Sequence, residues 1–331
     1  MCPLPPSSFL PKKSHTELPN KIPVLVIFAP TASGKTELLL NLFAGKEEAQ
    51  VISADSMQVY RGMDIGTAKP SLAERKILSH HLIDIKEPDE QFSVAEFVEK
   101  ADALCQEFYA SGKLPIVCGG TGFYIRAFLM GLPSTPPGDE ERRERLKKEL
   151  LEIGQEAMWQ KLLLADPESA KKIQANDHYR LLRALEIVQS TGKPRSFFAQ
   201  SASLRKKYDF STIILERSRE ELYGRIEERV DKMFEAGLEK EALSLTQRFG
   251  PDAPGMQAIG YREFFEKRQD GSPLLPEEIR EKIKRNSKKY AKKQYVFTRG
   301  IPDAKSVSIN NLEEAALAVK ESPAYKAFFK A

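Results

Sequence analysis

The sequence predicts an α/β fold, with a P-loop parallel-sheet core, an inserted helical domain and a helical C-terminal part. Three observations support this prediction. A short apolar run leads directly into a Gly-Lys-Thr loop near the start of the chain. Strand-like and helix-like segments then alternate, which is typical of parallel sheets whose two faces are covered by helices. A charged helical stretch interrupts the alternation after residue 132.

The first two strands bracket the loop and its helix. Residues 24–28 form a continuous apolar run of the kind found in buried parallel strands. The loop of residues 29–36 follows, and a leucine-rich helix begins at about Glu37. A second strand is predicted over residues 51–54 and ends at Asp55.

A helix and a third strand complete the first part of the core. Ser93 and Glu96 form a capping-box pattern ahead of helically spaced apolar residues, and Gly112 is predicted to end this helix. Residues 114–118 follow as a third buried strand and end in the sequence Gly-Gly-Thr-Gly.

The pattern then changes and defines the predicted domains. The proline-rich segment 133–138 opens a charged helical region, strand character returns at residues 212–215, and a second capping box spans Ser218 to Glu221. The predicted organisation is an N-terminal arm (1–22), a P-loop α/β core (23–132), a helical insertion (133–205), and a return to the core with C-terminal helices (206–331).

Length and composition indicate a large globular chain. With 331 residues it exceeds the size at which a single core stops growing, so two lobes are expected. No apolar run approaches the roughly 18 residues that a membrane helix needs. The first 23 residues contain six prolines and no apolar signal-peptide region, so the arm is predicted to be disordered. Three cysteines without paired spacing favour a reducing cytosol and argue against a zinc site.

The loop of residues 29–36 predicts phosphate binding. Backbone N–H groups of such a loop converge on phosphate oxygens, and the helix N-terminus adds positive potential. Lys35 is predicted to neutralise a terminal phosphate, and the Thr36 hydroxyl to reach a phosphate or its Mg²⁺. Ala29 stands where this motif usually has glycine, which is tolerated if its φ is negative.

The residues themselves leave the use of that phosphate open. A nucleoside triphosphatase usually has a carboxylate on another strand end for its magnesium shell, but the third strand ends in Gly119, Gly120 and Thr121. Asp55, at the end of the second strand, is the carboxylate expected to lie close to the phosphate loop. It can serve magnesium, accept a proton from a nucleophile, or simply cap a turn through Ser56.

A basic segment lies near the C-terminus. Residues 281–299 hold eight Lys or Arg and one Glu, with Tyr290, Tyr295 and Phe297 interleaved. Such a segment can bind a nucleic-acid backbone and stack on bases, or it can be a solvated helix face. Two rival functions follow from these features: a small-molecule or nucleotide kinase with Asp55 as base, and a non-catalytic RNA-binding protein. The missing second carboxylate argues against the first, and the phosphate loop argues against the second.

Seven segments together resemble the tRNA dimethylallyltransferase family. They run in the family's order between about residues 23 and 300, and the third is the most specific. They are residues 30–36 (PTASGKT), 53–60 (SADSMQVY), 62–70 (GMDIGTAKP), 81–84 (HLID), 119–124 (GGTGFY), 176–177 with 180–186 (ND, RLLRALE), and 258–263 (AIGYRE). The chain departs from the family pattern at Ala29, at Met57, where arginine is common, and at Lys292 and Phe297.

The resemblance implies a reaction and a set of catalytic residues. The loop is expected to hold the diphosphate of dimethylallyl diphosphate rather than ATP, with Mg²⁺ as cofactor and Thr36 as a metal ligand. The acceptor is N6 of the adenosine immediately 3′ of the anticodon. Asp55 takes the proton of N6, while Thr121 and Arg225 lie by the diphosphate. The diphosphate-binding residues implied are Thr31, Ala32, Ser33, Gly34, Lys35 and Thr36.

The resemblance also implies a tRNA interface. The adenine is expected to flip out of its stack, with Ser56 and Gln58 reading its edge and the helical insertion clamping the anticodon stem. The tRNA-contacting positions implied are Asp55, Ser56, Met57, Gln58, Thr121, Arg143, Tyr179, Arg180, Leu181, Leu182, Arg183, Gln257, Tyr261 and Arg262. Most arginines would bind phosphates, which position rather than specify. We expect a cytoplasmic monomer that binds tRNA and no membrane; His80 and His81 are expected to be structural.

Overall fold

The computed structural model describes residues 21–198 and 203–329. In this part of the chain a parallel sheet has six strands in the order β3-β2-β4-β1-β5-β6. The strands are β1 (Ile22–Phe28), β2 (Ala49–Ser53), β3 (His80–His81), β4 (Leu114–Gly119), β5 (Tyr208–Glu216) and β6 (Lys305–Ser308).

Helices join and cover these strands. Within the described residues they are α1 (Lys35–Phe43), α2 (Leu72–Ile77), α3 (Val94–Ala110), α4 (Gly122–Met130), α5 (Glu140–Ala165), α6 (Pro167–Ala170), α7 (His178–Thr191), α8 (Arg219–Glu235), α9 (Leu238–Phe249), α10 (Pro276–Thr298), α11 (Leu312–Lys320) and α12 (Pro323–Phe328). Short 3-10 turns occur at Arg195–Phe198, Gly255–Gln257 and Arg262–Phe265. None of the helices in residues 21–198 and 203–329 is both long and apolar enough to cross a membrane.

The register of the sheet brings the important strand ends together. β1 lies between β4 and β5, with Ile27 opposite Cys118 on one side and Ile213 on the other. β4 also pairs with β2, where Ser53 is opposite Cys118. Because the strands are parallel, the segments that follow β1, β2 and β4 all leave from the same edge of the sheet. Ligands of open parallel sheets bind at this carboxyl edge.

The described residues divide into two compact units. The first contains the sheet and consists of the described parts of Met1–Phe92, Glu99–Gly122 and Lys206–Ala331. Its core packs strand residues such as Leu25 and Ile116 against Leu38 of α1, Val319 of α11 and Tyr325 of α12.

The second unit is helical and has its own core. It comprises Ser93–Val98 and Phe123–Arg205, and it packs Leu146 and Leu162 of α5 against Leu181 of α7. α5 is interrupted at Gly154, whose φ of 81° lies in the left-handed region that favours glycine. The predicted arm at residues 1–22 lies almost entirely outside the described residues, which begin at residue 21.

The predicted α/β class is confirmed, with two additions. Ser93 and Ser218 cap α3 and α8 as predicted, their hydroxyls accepting the N–H groups of Glu96 and Glu221 at 3.1 and 3.3 Å. The edge strands β3 and β6 were not predicted, so the C-terminal part is not purely helical. Both are short: β3 has two residues and β6 has four, of which only Val307 is buried, so neither carries a strong apolar pattern.

Candidate active site

The loop of residues 29–36 connects β1 to α1. Ala32 and Gly34 take left-handed backbone conformations, with φ of 60° and 101°, and the Ser33 hydroxyl donates to Pro30 O at 2.8 Å. These conformations curl the backbone over the first turn of α1, which begins at Lys35. The loop therefore lies at the positive end of a helix, where anions bind.

Ala29 does not disturb this loop. Its N–H donates to Gly119 O at 3.2 Å, and it is not among the residues with positive φ. We predicted that alanine is tolerated here if its φ is negative, and this requirement is met. A residue with negative φ accepts a Cβ without strain.

Lys35 is enclosed by the site. Burial lowers the pKa of its ammonium below the ordinary value of 10.5, and the guanidinium of Arg229 acts in the same direction, while the carboxylate of Asp55 opposes both. Burial raises the pKa of the neighbouring Cys118 thiol to about 12, so this thiol is neutral at physiological pH. A bound anion would therefore stabilise the charged form of Lys35, which burial disfavours.

Asp55 follows β2 and has one oxygen engaged by its own turn. Oδ1 accepts the N–H groups of Met57 and Gln58 at 3.0 and 3.4 Å. Within the described part of the chain, Oδ2 has no hydrogen-bond partner, and the residue lines the cavity described below. The carboxylate therefore anchors a turn through one oxygen and keeps the other available.

Thr121 follows β4 and contacts the turn after β2. Its Oγ1 accepts the N–H of Ser56 at 3.0 Å and donates to the Ser56 hydroxyl at 3.3 Å, while its own N–H donates to Ala54 O at 3.1 Å. A Cβ at Gly119 would lie 2.1 Å from Ala54 O, so only glycine permits this approach. The ends of β2 and β4 are thereby brought into contact.

Three arginines hold consecutive residues of the 29–36 loop. Arg217 Nε donates to Ser33 O at 3.1 Å, and Arg225 Nε donates to Ala32 O at 2.9 Å. Arg229 Nη1 donates to Thr31 Oγ1 at 2.8 Å and Nη2 to Thr67 O at 3.3 Å. Only Arg225 was predicted. The spacing of Arg229, four residues after Arg225 on one helix face, is a sequence signal that indicates it.

The 29–36 loop, Asp55, Arg225 and Arg229 line a cavity of about 740 Å³, within the range of roughly 300–1,000 Å³ that is usual for ligand sites. Thr121 and Arg217 are not among the lining residues. One part is polar and carries the 29–36 loop, Asp55 and the arginines of α8. Another part is apolar and is formed by Ile226, Val230, Met233, Ile259 and Ile283. Two more lining residues that the sequence did not single out for the site, Tyr290 and Gln294, come from α10.

The 62–70 stretch is held by a carboxylate of α9. Glu241 accepts the N–H groups of Asp64, Ile65 and Gly66 at 3.0, 2.9 and 3.1 Å, and the Tyr261 hydroxyl donates to it at 2.6 Å. A Cβ at Gly66 would lie 2.5 Å from the Tyr261 ring. Burial, together with Glu241, raises the pKa of Tyr261. The Tyr261 side chain, predicted to contact tRNA, is fully buried and supports this backbone instead.

Gln58 is likewise engaged internally. Its Oε1 accepts the Ser53 hydroxyl at 3.2 Å, and Nε2 lies 3.4 Å from the carbonyl oxygens of Thr67 and Ala68. The side chain is almost fully buried. Its amide, expected to read a base edge, is occupied in joining two segments of the cavity wall.

In the second unit, two predicted tRNA-binding arginines flank a buried carboxylate. Glu186 is 1% exposed, and its oxygens lie 2.7 Å from Arg183 Nη1 and 3.6 Å from Arg143 Nη2. The Asp139 N–H also donates to Glu186 at 2.6 Å, and Arg183 donates to Pro136 O at 2.5 Å. These bonds hold the start of α5 against α7.

The other predicted positions of α7 differ in exposure. Leu181 and Leu182 are buried in the helical core, so their side chains do not reach the surface. Tyr179 is 74% exposed, and the Arg180 side chain is 61% exposed with a long 3.4 Å contact to Asp177. Of the predicted positions on this helix, Tyr179 and Arg180 are therefore the ones with exposed side chains.

The remaining predicted positions lie in the first unit. Gln257 is exposed and donates to Pro251 O at 2.9 Å, while Arg262 is half-exposed and 3.4 Å from the buried Glu263. Both line the cavity. On α10, Lys288 pairs with Glu227, whereas Lys289, Lys292 and Lys293 are exposed.

A metal would find few protein ligands here. No group of three or more His, Cys, Asp or Glu residues with metal-binding spacing occurs in the described residues. The Thr36 hydroxyl and Asp55 both line the cavity. Mg²⁺ typically keeps several waters and uses one or two protein oxygens together with substrate phosphates, so these two residues fit it. His80 and His81 bond to Leu78 O and the Gln50 side chain and have no such role.

Comparison with known proteins identifies the family of this chain. A model of the IPP transferase family matches residues 58–300. The chain is 45% identical over 305 residues to a tRNA dimethylallyltransferase of Geobacillus kaustophilus (strain HTA426), covering 92% of this chain and 96% of that protein. The chain belongs to the IPP transferase family.

Solved structures of the family agree with the fold. The crystal structure of the full-length tRNA isopentenylpyrophosphate transferase from Bacillus halodurans matches with a TM-score of 0.65 and 38% identity, covering 91% of this chain and 98% of that one. A eukaryotic dimethylallyltransferase, captured in crystallographic snapshots acting on tRNA, matches with a TM-score of 0.71 and 26% identity, covering 92% and 77%. The family fold thus extends over most of the described chain.

Proposed function

We infer that this chain transfers a dimethylallyl group from dimethylallyl diphosphate to N6 of the adenosine 3′-adjacent to the anticodon of tRNA. The products are N6-dimethylallyladenosine and diphosphate. The observation that carries this inference is the placement of the arginine-tied 29–36 loop and the carboxylate of Asp55 on one cavity, in a member of this family. An anion subsite beside a base is what transfer from a diphosphate to an amine requires.

The 29–36 loop would hold the diphosphate. As the allylic C–O bond breaks, its electron pair goes to the leaving diphosphate, so positive groups fixed there lower the barrier. Lys35 and Arg225 line this part of the cavity, and the N-terminus of α1 adds partial positive charge. The apolar wall offers a place for the five-carbon group.

Asp55 would act on the acceptor. N6 forms the new bond to the allylic carbon and gives its proton to the free Oδ2 of Asp55, so the modified adenosine leaves neutral. Thr121, whose hydroxyl accepts the N–H of Ser56, is proposed to lie by the diphosphate. The adenine would have to leave its stack to reach such a cavity, which is the usual solution for chemistry on a base.

Mg²⁺ is part of this proposal. When bound, it neutralises diphosphate charge and so makes the leaving group better. Thr36 is the ligand proposed on this chain, with the remaining positions filled by water and phosphate oxygens. Removal of Mg²⁺ by a chelator should slow transfer of the dimethylallyl group, and adding Mg²⁺ back in increasing amounts should restore the rate.

The tRNA interface proposed here rests on exposed groups. Tyr179 and Arg180 of α7 are available for stacking and for phosphate contact, and so are the exposed lysines of α10. We also propose that the chain acts as a cytoplasmic monomer.

A labelling experiment tests the function. The chain is incubated with unmodified tRNA and either radiolabelled dimethylallyl diphosphate or ATP labelled in its terminal phosphate. Label from the allylic substrate should appear in tRNA, and none should be transferred from ATP to tRNA or another acceptor. A tRNA with guanosine at the acceptor position is the control. Transfer of phosphate from ATP alone would favour the kinase alternative and overturn the proposal.

A further inference from the structure

One buried side-chain amide joins two of the loops that meet at the site. Gln294 of α10 is 3% exposed. Its Oε1 accepts the N–H of Thr31 at 3.0 Å, and its Nε2 donates to Gly120 O at 2.6 Å. The first contact is to the 29–36 loop, and the second is to the residue before Thr121. The amide thus spans the ends of β1 and β4.

This bridge needs both a donor and an acceptor. Glutamine supplies a carbonyl oxygen for Thr31 N–H and an NH₂ group for Gly120 O, whereas an ionised glutamate would place a second acceptor against Gly120 O. The backbone is shaped to the amide as well, because a Cβ at Gly120 would lie 2.5 Å from Gln294 Nε2. The contact therefore requires glutamine at position 294 and glycine at position 120.

Neighbouring contacts extend the bridge. The Tyr290 side chain, one helical turn before Gln294, lies close to Thr121 and Gln294, whose polar groups act to lower its pKa. Burial, together with the charge of Asp55, raises the pKa of Tyr290 to about 12, so the hydroxyl keeps its proton at neutral pH. Thr31 is held from its other side by Arg229 of α8, at 2.8 Å. The loop is therefore fixed between two helices.

We propose that Gln294 is a positioning residue that fixes the distance between the diphosphate loop and Thr121. This inference rests on the function proposed above. Gln294 makes its contacts through Thr31 and Gly120, and it aligns the leaving group with the acceptor amine. Small displacements of reacting groups typically cost about 10²-fold in rate, so its loss should appear in the transfer step rather than in tRNA affinity.

The decisive variant is Gln294→Glu, because its charge can be switched by pH. When ionised, the carboxylate repels Gly120 O, and single-turnover transfer should fall by about 10²-fold. When protonated, the carboxyl is nearly isosteric with the amide and again donates to Gly120 O. The ratio of the Gln294→Glu rate to the wild-type rate, measured at each pH, should therefore rise as the pH is lowered. Gln294→Ala should be slow at every pH.

Three measurements separate positioning from mere stability. Binding of inorganic diphosphate, followed by calorimetry, should weaken in both Gln294 variants, while affinity for an anticodon stem-loop stays within a few-fold of wild type. Gln106→Ala is the matched control, since this exposed glutamine of α3 bonds only to Asp102 O of its own helix. Tyr290→Phe removes the hydroxyl alone and should cost a smaller factor, about 10-fold or less, because a neutral hydroxyl contributes modestly.

The outcomes are distinct. If wild type does not transfer the allyl group, the proposed function itself fails. The effect of the Gln294 variants on diphosphate binding still tests whether the Gln294 contacts position the 29–36 loop. If wild type is active but Gln294→Ala matches it, or the Gln294→Glu ratio does not change with pH, the positioning role is overturned. If Gln294→Ala does not fold, the pH dependence of Gln294→Glu decides.

Discussion

The loop region of the first unit and the α5–α7 region of the second both contain arginines that the sequence assigned to anion binding, but their partners differ. Arg225 donates to a backbone carbonyl, Ala32 O, and in the described part of the chain no carboxylate pairs with it. Arg183 lies 2.7 Å from the buried Glu186. The first guanidinium has no carboxylate partner among the described residues, while the second forms an ion pair with a buried carboxylate. The role of an arginine is therefore set by what its side chain meets in the fold.

The largest expected effect is at Asp55. Like Arg225, it keeps part of its side chain without a partner among the described residues. Asp55→Asn keeps the turn, because the amide oxygen can still accept from Met57 and Gln58, but it removes the base. Turnover should fall by about 10²–10⁴-fold with tRNA affinity nearly unchanged. Single-turnover rates and stem-loop binding check this, and a parallel collapse of binding would show that the residue is only an anchor.

Lys35 should follow in size. Lys35→Ala removes a fixed positive charge from the departing diphosphate, and loss of one such electrostatic group typically costs about 10²–10³-fold in rate. The fold should remain intact, because in the described structure no hydrogen bond or ion pair of the Lys35 ammonium holds another element. Thermal melting provides the control, and near-normal transfer by a folded variant would exclude the loop as the diphosphate site.

The pH dependence of Lys35 sharpens the same point. Because burial lowers the pKa of Lys35 below 10.5, its charge is lost at a lower pH than that of an ordinary lysine. Diphosphate binding uses the charged form of Lys35. The affinity should therefore be highest at pH values below this lowered pKa and should decline as the pH rises through it. Calorimetry of inorganic diphosphate across the alkaline range tests this. Lys35→Arg should retain affinity there, since guanidinium does not titrate in that range.

Arg183 is expected to affect stability more than RNA binding. Arg183→Ala leaves Glu186 with Arg143 at 3.6 Å as its ion-pair partner and with the Asp139 N–H at 2.6 Å. Breaking a buried pair typically costs about 3–5 kcal/mol, and the residual partner should bring the loss towards 2–3 kcal/mol. Denaturant unfolding measures it, and Arg183→Ala combined with Glu186→Gln should recover part of the loss. An unchanged unfolding free energy with weaker tRNA binding would restore the phosphate role predicted from sequence.

The smallest effect is expected at Arg180, the exposed counterpart of Arg183. Arg180→Ala should weaken tRNA binding only a few-fold and leave stability unchanged. If Arg180 neutralises one phosphate, it should also flatten the log–log dependence of affinity on salt by about 0.7–0.9. Titrations at several salt concentrations measure the slope. An unaltered slope would remove Arg180 from the tRNA interface.

The sequence by itself determined the features that depend on neighbouring residues. The apolar runs of β1, β2 and β4, the serine caps of α3 and α8, and the motif of the 29–36 loop are local patterns, and each appears in the structure where it was predicted. Helices and strands follow such patterns because the side-chain periods of 3.6 and 2 act within a few residues. The short strands β3 and β6 were not predicted, because they have too few residues to display a side-chain period.

Only the tertiary structure decided which polar side chains are free. Thr31 and Gln294 are separated by 263 residues, and Arg229 and Thr31 by 198, so no local pattern indicates these bonds. The same holds for Tyr261, which the sequence assigned to tRNA and the fold buries against Glu241. A buried polar group must find a partner, and that partner can come from any part of the chain. Sequence therefore predicted the chemistry of the site, and the packing of α8, α9 and α10 decided which side chains are engaged within the protein.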